Sequence, residues 1–358
     1  MENRLFDFLQ LALGLKKERE CLPQSRDEWD MLFKVAAQHN LVAVTFPLID
    51  ELHDEELVPL GIYSRWAMMA EKVQEKNANM NKVCVKLFNL FKDNGMRSCV
   101  LKGQGAAALY PHPELRQCGD IDIWVDADRN TTLDFLRSHG GTGKVFYHHC
   151  EPHMVKGIST EVHFLPSWMN APIANRRLQK YFRRVAPAQF ENYNPGLGFC
   201  VPTLQFQAVH MLIHIYRHVL DEGVGLRQLM DYYYVLKALT PEDRVKVLRD
   251  LDELKMKKFA AGIMYVLKMV FGIEDRLLLC EPDSRQGAFL LDEIMISGNF
   301  GRYDIRNKHE KNERRVMHAK RKITRSLRYL KYYPTEVIGI PYFMIKHYFW
   351  RLFKGYLQ

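Results

Sequence analysis

Two aspartates separated by one residue lie in a segment whose pattern is typical of a β-strand. Asp120 and Asp122 alternate with Ile121, Ile123 and Val125. Because successive side chains of a strand point to opposite faces, the carboxylates share one face and the apolar side chains share the other. Two carboxylates held this close repel each other unless a positive charge lies between them, and their oxygens suit Mg²⁺ or Mn²⁺. The pair therefore predicts a divalent-cation site that could serve phosphate chemistry.

A third carboxylate follows on a predicted neighbouring strand. Glu161 and His163 alternate with apolar residues, so both are expected on one face of that strand. Beside the aspartates, Glu161 would complete a site for two ions, one activating an attacking oxygen and the other holding the leaving phosphates. We therefore expect Asp120, Asp122 and Glu161 to be the catalytic residues and the ligands of two Mg²⁺ or Mn²⁺ ions.

Residues suited to binding phosphates precede the acidic strand. A predicted strand runs into a helix start at Lys102, Gly103 and Gln104, where backbone N–H groups and the helix dipole suit a triphosphate. Lys102 adds a positive charge, and Arg116 could clamp a phosphate through two parallel hydrogen bonds. We expect Lys102, Gly103, Gln104 and Arg116 to bind a nucleotide.

Each of these features by itself has a plainer structural explanation. An isolated Asp-x-Asp pair or a single glutamate is common on strands, and a glycine often does no more than begin a helix. The order along the chain is what favours a functional site. A strand, a glycine turn, a helix, the acidic strand and a third acid follow one another between residues 97 and 165.

A polar stripe marks a predicted helix further along the chain. Its members recur every three or four residues: Gln207, His210, His214 and His218. The stripe could be an ordinary structural helix face, could line a cleft and contact base, ribose or acceptor, or could bind zinc through histidines one turn apart. Arg227 and Asp231 are also one turn apart and are expected to form an ion pair, with a secondary role in ordering the cleft.

The periodicity divides the chain into three regions. Residues 1–95 read as an N-terminal helical region, residues 96–200 as a small mixed α/β core, and residues 201–358 as a C-terminal helical domain. Within the core, segments 145–149, 153–158 and 160–165 are expected to be extended. The predicted fold class is α+β, a small mixed β-sheet flanked by helical regions.

The quoted residues resemble a known family. Leu101-Lys102-Gly103, Leu109-Tyr110-Pro111, Arg116, Gly119 to Ile123 and Glu161-Val162-His163 look like the uncharacterised bacterial nucleotidyltransferase family of the DNA polymerase β-like nucleotidyltransferase superfamily. The resemblance implies a nucleotidyltransferase core in which Asp120 and Asp122 bind metals and NTP phosphates. It also implies that Glu161 helps to activate the acceptor and that Gly103 forms the glycine turn.

The resemblance is strongest over residues 97–165 and continues more weakly through a helical segment. There His210, His214, Arg227 and Asp231 match, and together with His163 they are the cleft-lining candidates. Two departures from the superfamily pattern stand out: Gln104 replaces the usual serine, and 17 positions separate Gly103 from Asp120, a longer gap than usual. Both departures affect the placement of the triphosphate more than the binding of metal.

The charge and the cysteine content indicate which partners and which cellular compartment to expect. The net charge is +9, and residues 302–331 alone hold twelve Lys/Arg against three acids, also +9. This basic segment could be a solvated helix face, an RNA or other polyanion surface, or a membrane-surface contact. Seven scattered cysteines, no secretory signal and no apolar run of about 20 residues predict a reducing, cytoplasmic location without a transmembrane segment.

Two functions follow from the sequence. The first is a metal-dependent nucleotidyltransferase that moves an NMP group from an NTP to a hydroxyl of an acceptor and releases pyrophosphate; the acceptor could be a small molecule, a protein or RNA. The alternative is a degenerate, non-catalytic nucleotidyltransferase scaffold that binds nucleotide or RNA, with the basic C-terminal helix as its docking surface.

Overall fold

The structure is a computed structural model that describes residues 2–307 and 315–356. Helices dominate its N-terminal part: α1 (Glu2–Ala12), α2 (Arg26–Gln38), α3 (Phe46–Asp54) and α4 (Leu60–Asp93). The Ser25 hydroxyl begins α2 by accepting a hydrogen bond from the Glu28 N–H at 3.3 Å. After α4, Gly95 turns the chain at φ +75°, a value that favours glycine.

A small mixed sheet follows the long helix α4. Its strands are β1 (Ser98–Val100), β2 (Ile121–Val125), β3 (Lys144–Val145), β4 (His149–Glu151) and β5 (Thr160–His163). Their order across the sheet is β1-β2-β5-β4-β3. β2 pairs in parallel with β5, and the remaining neighbours pair antiparallel. This sheet between helical regions confirms the predicted α+β fold class.

The extended segment predicted at 153–158 is wrong. No strand forms there, because Pro152 cannot donate to a strand ladder and Gly157 turns the chain at φ +81°. The other helices and strands of the core are α5 (Gln104–Ala107), α6 (Arg129–Ser138), α7 (Pro172–Glu191) and the two-stranded ribbon β6 (Tyr193–Asn194) and β7 (Phe199–Cys200).

The C-terminal part is helical, as its periodicity predicts. It contains α8 (Leu204–Asp221), α9 (Leu226–Ala238), α10 (Pro241–Glu253), α11 (Lys257–Phe271), α12 (Ser284–Ser297), α13 (Arg315–Leu327) and α14 (Pro334–Phe353). Thr240 and Asp243 cap the start of α10, and Gly272 ends α11 at φ +63°. No helix among the described residues is both long enough and apolar enough to cross a bilayer.

One cluster of buried apolar side chains joins these parts. It extends from Leu5 of α1 through the sheet to Val337 of α14, so the N-terminal helices, the sheet and the C-terminal helices share a core. The division into 1–95, 96–200 and 201–358 stays a prediction. Within this core β2 is buried along its whole length, which fixes the acidic strand rigidly between β1 and β5.

Candidate active site

The three carboxylates that the sequence predicts to be catalytic line one cavity between the sheet and the helices α8 and α9. Asp122 on β2 lies directly opposite Glu161 on the parallel strand β5, and Asp120 comes just before β2. The cavity has a volume of about 270 Å³. Residues in register on neighbouring strands project from the same face of a sheet. The strand register is therefore what brings Glu161, 39 positions after Asp122 in the chain, to the aspartates.

Two positively charged side chains neutralise Asp122, which is 2% exposed. Lys102 Nζ lies 2.9 Å from Asp122 Oδ1. His163 Nε2 lies 2.9 Å from the same oxygen and 3.2 Å from Glu161 Oε2. Lys102, predicted to bind the nucleotide, thus lies in the cavity wall and is paired with an aspartate.

Burial and charge act in opposite directions on the pKa values of this cluster. Burial alone would raise the pKa of Asp122, but Lys102 and His163 hold it well below its ordinary value. Burial alone would lower the pKa of His163, but its hydrogen bonds to Asp122 and Glu161 raise it to about 9. The imidazole of His163 therefore carries a positive charge at neutral pH.

Asp120 differs from Asp122 because no cation among the described residues pairs with it. The negative charge of Asp122 and then burial raise the pKa of Asp120 to about 6, although Lys102 acts in the opposite direction. Within residues 2–307 and 315–356, no side chain forms a salt bridge with Asp120. A divalent cation with oxygen ligands would relieve this repulsion. The carboxylate donors at the cavity therefore fit Mg²⁺ or Mn²⁺.

The turn between β1 and α5 exposes its backbone to the cavity. Gly103 has φ +60° and ψ −107°, a combination that residues with a Cβ rarely adopt. Lys102 and Gly103 both line the cavity, and their binding of phosphate stays a prediction. The helix that follows has only four residues, so the predicted contribution of a helix dipole is small because few peptide dipoles are aligned.

Gln104 faces away from the cavity, contrary to its predicted contact with nucleotide. The side chain is 3% exposed. Its amide nitrogen lies 2.6 Å from Asn81 Oδ1 and 3.3 Å from the Asn77 carbonyl, both on α4. The short helix α5 turns Gln104 toward α4. A residue that the sequence predicts to contact nucleotide therefore connects α5 with α4 instead.

Arg116 is also committed to a protein partner. It is 3% exposed and donates two hydrogen bonds to Asp231, from Nε to Oδ1 at 2.6 Å and from Nη2 to Oδ2 at 2.7 Å. Tyr110 donates a third hydrogen bond to Asp231 Oδ1 at 2.6 Å. The predicted phosphate clamp is corrected by this pairing, because Arg116 uses its bidentate geometry on Asp231.

Arg227 forms the predicted ion pair with Asp231. It is the weaker of two ion pairs that Asp231 makes, the other being with Arg116. Arg227 Nη1 lies 3.6 Å from Asp231 Oδ2, whereas Arg116 makes the short contacts. Both Arg227 and Asp231 line the cavity, and their role in a substrate cleft stays a prediction.

Sequence comparison assigns the chain to a family. A family described as "Uncharacterised nucleotidyltransferase" matches residues 25–272, more than two thirds of the 358 residues. The chain belongs to this family. The match includes the sheet, helices α8 to α11 and, apart from Phe300, the residues that line the cavity. Nucleotidyl transfer is thereby assigned at a general level.

Other comparisons add little to the assignment to the nucleotidyltransferase family. No curated protein matches the sequence. Among solved structures, the chain is similar to "Thermotoga maritima CCA-adding enzyme complexed with tRNA_CCA", with 13% identity, 80% of this chain and 84% of that chain covered, and a TM-score of 0.21. A TM-score this low carries no argument about function.

In this member of the nucleotidyltransferase family the histidine stripe of α8 divides into two parts. Gln207 and His210 are buried behind the cavity, where His210 stacks on Phe206 and its Nε2 lies 3.2 Å from the Pro166 carbonyl oxygen. The expected cleft-lining role of His210 is corrected by this burial. His214 and His218 do line the cavity. Among the described residues, no cluster with metal-binding geometry includes this stripe.

Further cavity residues were missed from the sequence of this nucleotidyltransferase family member. His148, His149, Trp168 and Arg217 all line the cavity. The Arg217 guanidinium lies 4.4 Å from the centre of the Trp168 ring. The adjacent histidines on a predicted extended segment were the one sequence signal that could have marked this wall of the cavity. Trp168 lies in a loop and Arg217 on the α8 helix, where nothing in the local pattern distinguished them.

Several cations of the basic segment 302–331 form ion pairs within the protein. Residues 308–314 of this segment lie outside the described residues. Of the others, Arg325 is 4% exposed and donates to Asp304 Oδ2 at 3.0 Å. Arg306 and Arg328 also lie within salt-bridge distance of Asp304. Arg325 near the end of α13 and Arg328 just after it therefore hold this part of the chain against Asp304, while Lys320 and Lys331 are exposed to solvent.

Proposed function

We propose that this protein is a metal-dependent nucleotidyltransferase that moves an NMP group from an NTP to an acceptor hydroxyl. The register of Asp122 with Glu161 on parallel strands, with the unneutralised Asp120 beside them, is the observation that supports this proposal. Such a group of carboxylates facing a cavity suits phosphoryl chemistry, in which positioning and charge stabilisation do most of the catalytic work.

Asp120, Asp122 and Glu161 would hold the divalent cations, two Mg²⁺ or Mn²⁺ ions. When bound, the cations supply the positive charge that the triphosphate and the departing pyrophosphate require. His163 fixes the carboxylates of Asp122 and Glu161 relative to each other through its contacts of 2.9 and 3.2 Å. Its positive charge also keeps both carboxylates ionised at neutral pH.

Glu161 would receive the proton of the acceptor hydroxyl. In the proposed reaction the acceptor oxygen forms a bond to the α-phosphorus, the bond between that phosphorus and the bridging oxygen breaks, and pyrophosphate leaves. Burial alone would raise the pKa of Glu161, but the hydrogen bond with His163 lowers it below its ordinary value. Glu161 is therefore ionised near pH 7 and can accept a hydrogen bond from the hydroxyl.

We assign the triphosphate to Lys102, the Gly103 turn and Arg227. Lys102 is 17% exposed in its side chain and borders the acids, while Arg227 replaces Arg116 as the candidate phosphate ligand. Arg227 lines the cavity, and its Nε is buried without a hydrogen-bond partner among the described residues. A phosphate oxygen would satisfy this donor, which is costly to leave unpaired.

A pyrophosphate-release screen tests the proposal. The four NTPs would each be offered with Mg²⁺ and pools of small-molecule, protein and RNA acceptors. We expect release with at least one pair, and a loss of at least about a hundredfold in Asp120→Asn, comparable to removing a key electrostatic group from an active site. Asp126→Asn is the matched control, because Asp126 follows β2 and pairs on the surface with Arg97. Wild-type activity in Asp120→Asn would overturn the proposal.

A binding scaffold is the second candidate function. Lys102 and His163 already supply two positive charges to the acid cluster, and residues 315–356 contain ten Lys/Arg and a single acid, Glu336. A degenerate core with this charge could bind nucleotide or RNA, including a polyanion contact through segment 302–331. Salt-sensitive RNA binding without pyrophosphate release from any NTP would favour this function over the first.

A further inference from the structure

A second group of metal-ligating side chains lies beside the acid cluster. His149 and Glu151 are on β4, which pairs with β5 so that His149 lies opposite His163. Continuing this antiparallel register sets Glu151 opposite Glu161. Alternate residues of a strand share a face, so His149, Glu151 and Glu161 all project from the same face of the sheet as Asp122.

The imidazole of His149 is directed at the two glutamates. Its Nε2 lies 3.7 Å from Glu161 Oε1 and 3.8 Å from Glu151 Oε1, and one donor atom from each residue lies within 4.8 Å of the others. His149 is 7% exposed, yet Nε2 has no hydrogen-bond partner in the described part of the chain. A buried polar nitrogen without a partner is costly, which points to a ligand between the three side chains.

The ring of His149 is held in place from its other side. Nδ1 of His149 lies 2.8 Å from Nε2 of His148, and Phe146 stacks on the ring with centroids 4.8 Å apart. When Nδ1 donates this hydrogen bond, Nε2 carries the lone pair that a metal ion requires. Histidines that bind metal are commonly oriented by such a hydrogen bond at the second nitrogen.

We propose that His149, Glu151 and Glu161 bind a divalent transition-metal ion of the Zn²⁺ or Mn²⁺ class. One imidazole nitrogen and two carboxylate oxygens form a donor set that suits these ions better than Mg²⁺, which prefers oxygen ligands. Ligands about 2.1 Å from a tetrahedral zinc lie about 3.4 Å apart. The separations of 3.7 and 3.8 Å between His149 Nε2 and the two glutamates are close to this value, and the three donor atoms lie within 4.8 Å of one another.

This site is distinct from the cation site proposed for Asp120, Asp122 and Glu161, and it shares only Glu161 with that site. Glu161 Oε1 faces His149, while Glu161 Oε2 contacts His163. Glu151 has a side-chain exposure of 37%, so the proposed site reaches solvent at this residue. The proposal rests on the geometry of β4 and β5 and does not depend on the reaction proposed above.

Zinc binding to the full-length protein tests the site. Protein stripped with EDTA would be titrated with Zn²⁺ in competition with a chromophoric chelator, and the ligand field would be followed by Co²⁺ absorption. We expect one Zn²⁺ whose affinity falls at least about tenfold in Glu151→Gln and in His149→Gln. His153→Gln, an exposed histidine after β4, should bind Zn²⁺ as the wild type does.

The variants separate this proposal from the nucleotidyltransferase proposal. Asp120→Asn should retain the Zn²⁺ affinity, because Asp120 is not part of the donor set. Glu151→Gln changes a partly exposed residue and should fold normally, as circular dichroism would show. The proposal is overturned if the wild type shows no saturable Zn²⁺ binding, or if Glu151→Gln and His149→Gln both retain it. Loss of Zn²⁺ in Asp120→Asn but not in Glu151→Gln would also overturn it.

Discussion

At the scale of single residues, Asp120 and Asp122 show how different two neighbouring aspartates can be. Asp122 is buried between Lys102 and His163, which keep it ionised. Asp120 has neither partner, and the charge of Asp122 raises its pKa to about 6. The two residues therefore differ in what they contribute to stability, although both are assigned to the same catalytic cluster.

Exchanging each aspartate for asparagine should change the free energy of unfolding in opposite directions. Asp122→Asn leaves two buried cations short of a partner, and we expect it to lower the free energy of unfolding by about 3 kcal/mol. Asp120→Asn removes like-charge repulsion and should raise that free energy. Urea denaturation at pH 7 with EDTA measures both changes. Equal effects of the two substitutions would contradict the environments described here.

The charge of His163 predicts a pH dependence of stability. Its pKa is raised from 6.5 to about 9 in the folded protein. A group whose folded-state pKa is raised stabilises fully below its unfolded pKa, and this contribution is lost as the pH rises through 9. Between pH 6 and pH 10 in EDTA, the wild type should lose about 2–4 kcal/mol relative to His163→Gln. A constant difference in the free energy of unfolding between the two proteins across this pH range would disprove the raised pKa of His163.

At the scale of helices and strands, two features place the chemistry. The parallel register of β2 and β5 brings Glu161 to Asp122. The turn at Gly103 lets the chain leave β1 and present Lys102 to the cavity within two residues. Both features depend on backbone geometry, so a small change in the backbone should affect the site without removing a functional group.

Alanine at Gly103 tests the role of that turn. A Cβ would meet only the Asp120 carbonyl, at 3.5 Å, but φ is +60°, and we expect a cost of about 1–3 kcal/mol from backbone strain. Pyrophosphate release should fall as Lys102 is displaced. Gly119→Ala is the control, since nothing lies within 4 Å of its added Cβ and its φ is not in the strained region. Thermal unfolding measures the stability of both variants. An unchanged stability in Gly103→Ala would argue against a strained turn.

At the scale of the whole molecule, the last helix is tied to the cavity wall through one buried glutamate. Glu336 of α14 lies 3.1 Å from Arg217 Nη1 and accepts a hydrogen bond from the Ala171 N–H at 3.1 Å. Arg217 in turn stacks on Trp168, which lines the cavity. Helices α12 to α14 lie outside the family match, yet α14 contacts the wall of the candidate site through this glutamate.

Removing Glu336 should loosen this connection. Glu336→Ala leaves Asp221 as the acidic partner of Arg217 and removes the acceptor of the Ala171 N–H, so we expect a loss of about 2 kcal/mol in the free energy of unfolding, together with faster proteolysis of α14. Glu253→Ala is the matched control, because the Glu253–Arg184 pair is half exposed and should change stability by less than about 0.5 kcal/mol. Urea denaturation compares the two; similar losses would mean that the Glu336 contact is not special.

Some residues of the candidate site can be placed from the sequence, and others cannot. Asp120 and Asp122 could be placed on one strand face from their spacing alone, and the helical and extended regions followed from periodicity. Arg116 and Gln104 were assigned to nucleotide because the spacing of residues does not reveal competing partners. Their actual partners, Asp231 and Asn81, lie far away in the chain and only folding brings them near.

The amino-acid sequence by itself determined the α+β class and the acidic strand, because side-chain alternation and helical periodicity are local properties of the chain. Tertiary structure decided which charges meet. It paired Asp122 with Lys102 and His163, left Asp120 unneutralised, and set His149 beside Glu161. Electrostatic interactions depend on distance and burial in three dimensions, and neither quantity is encoded in the spacing of residues along a chain.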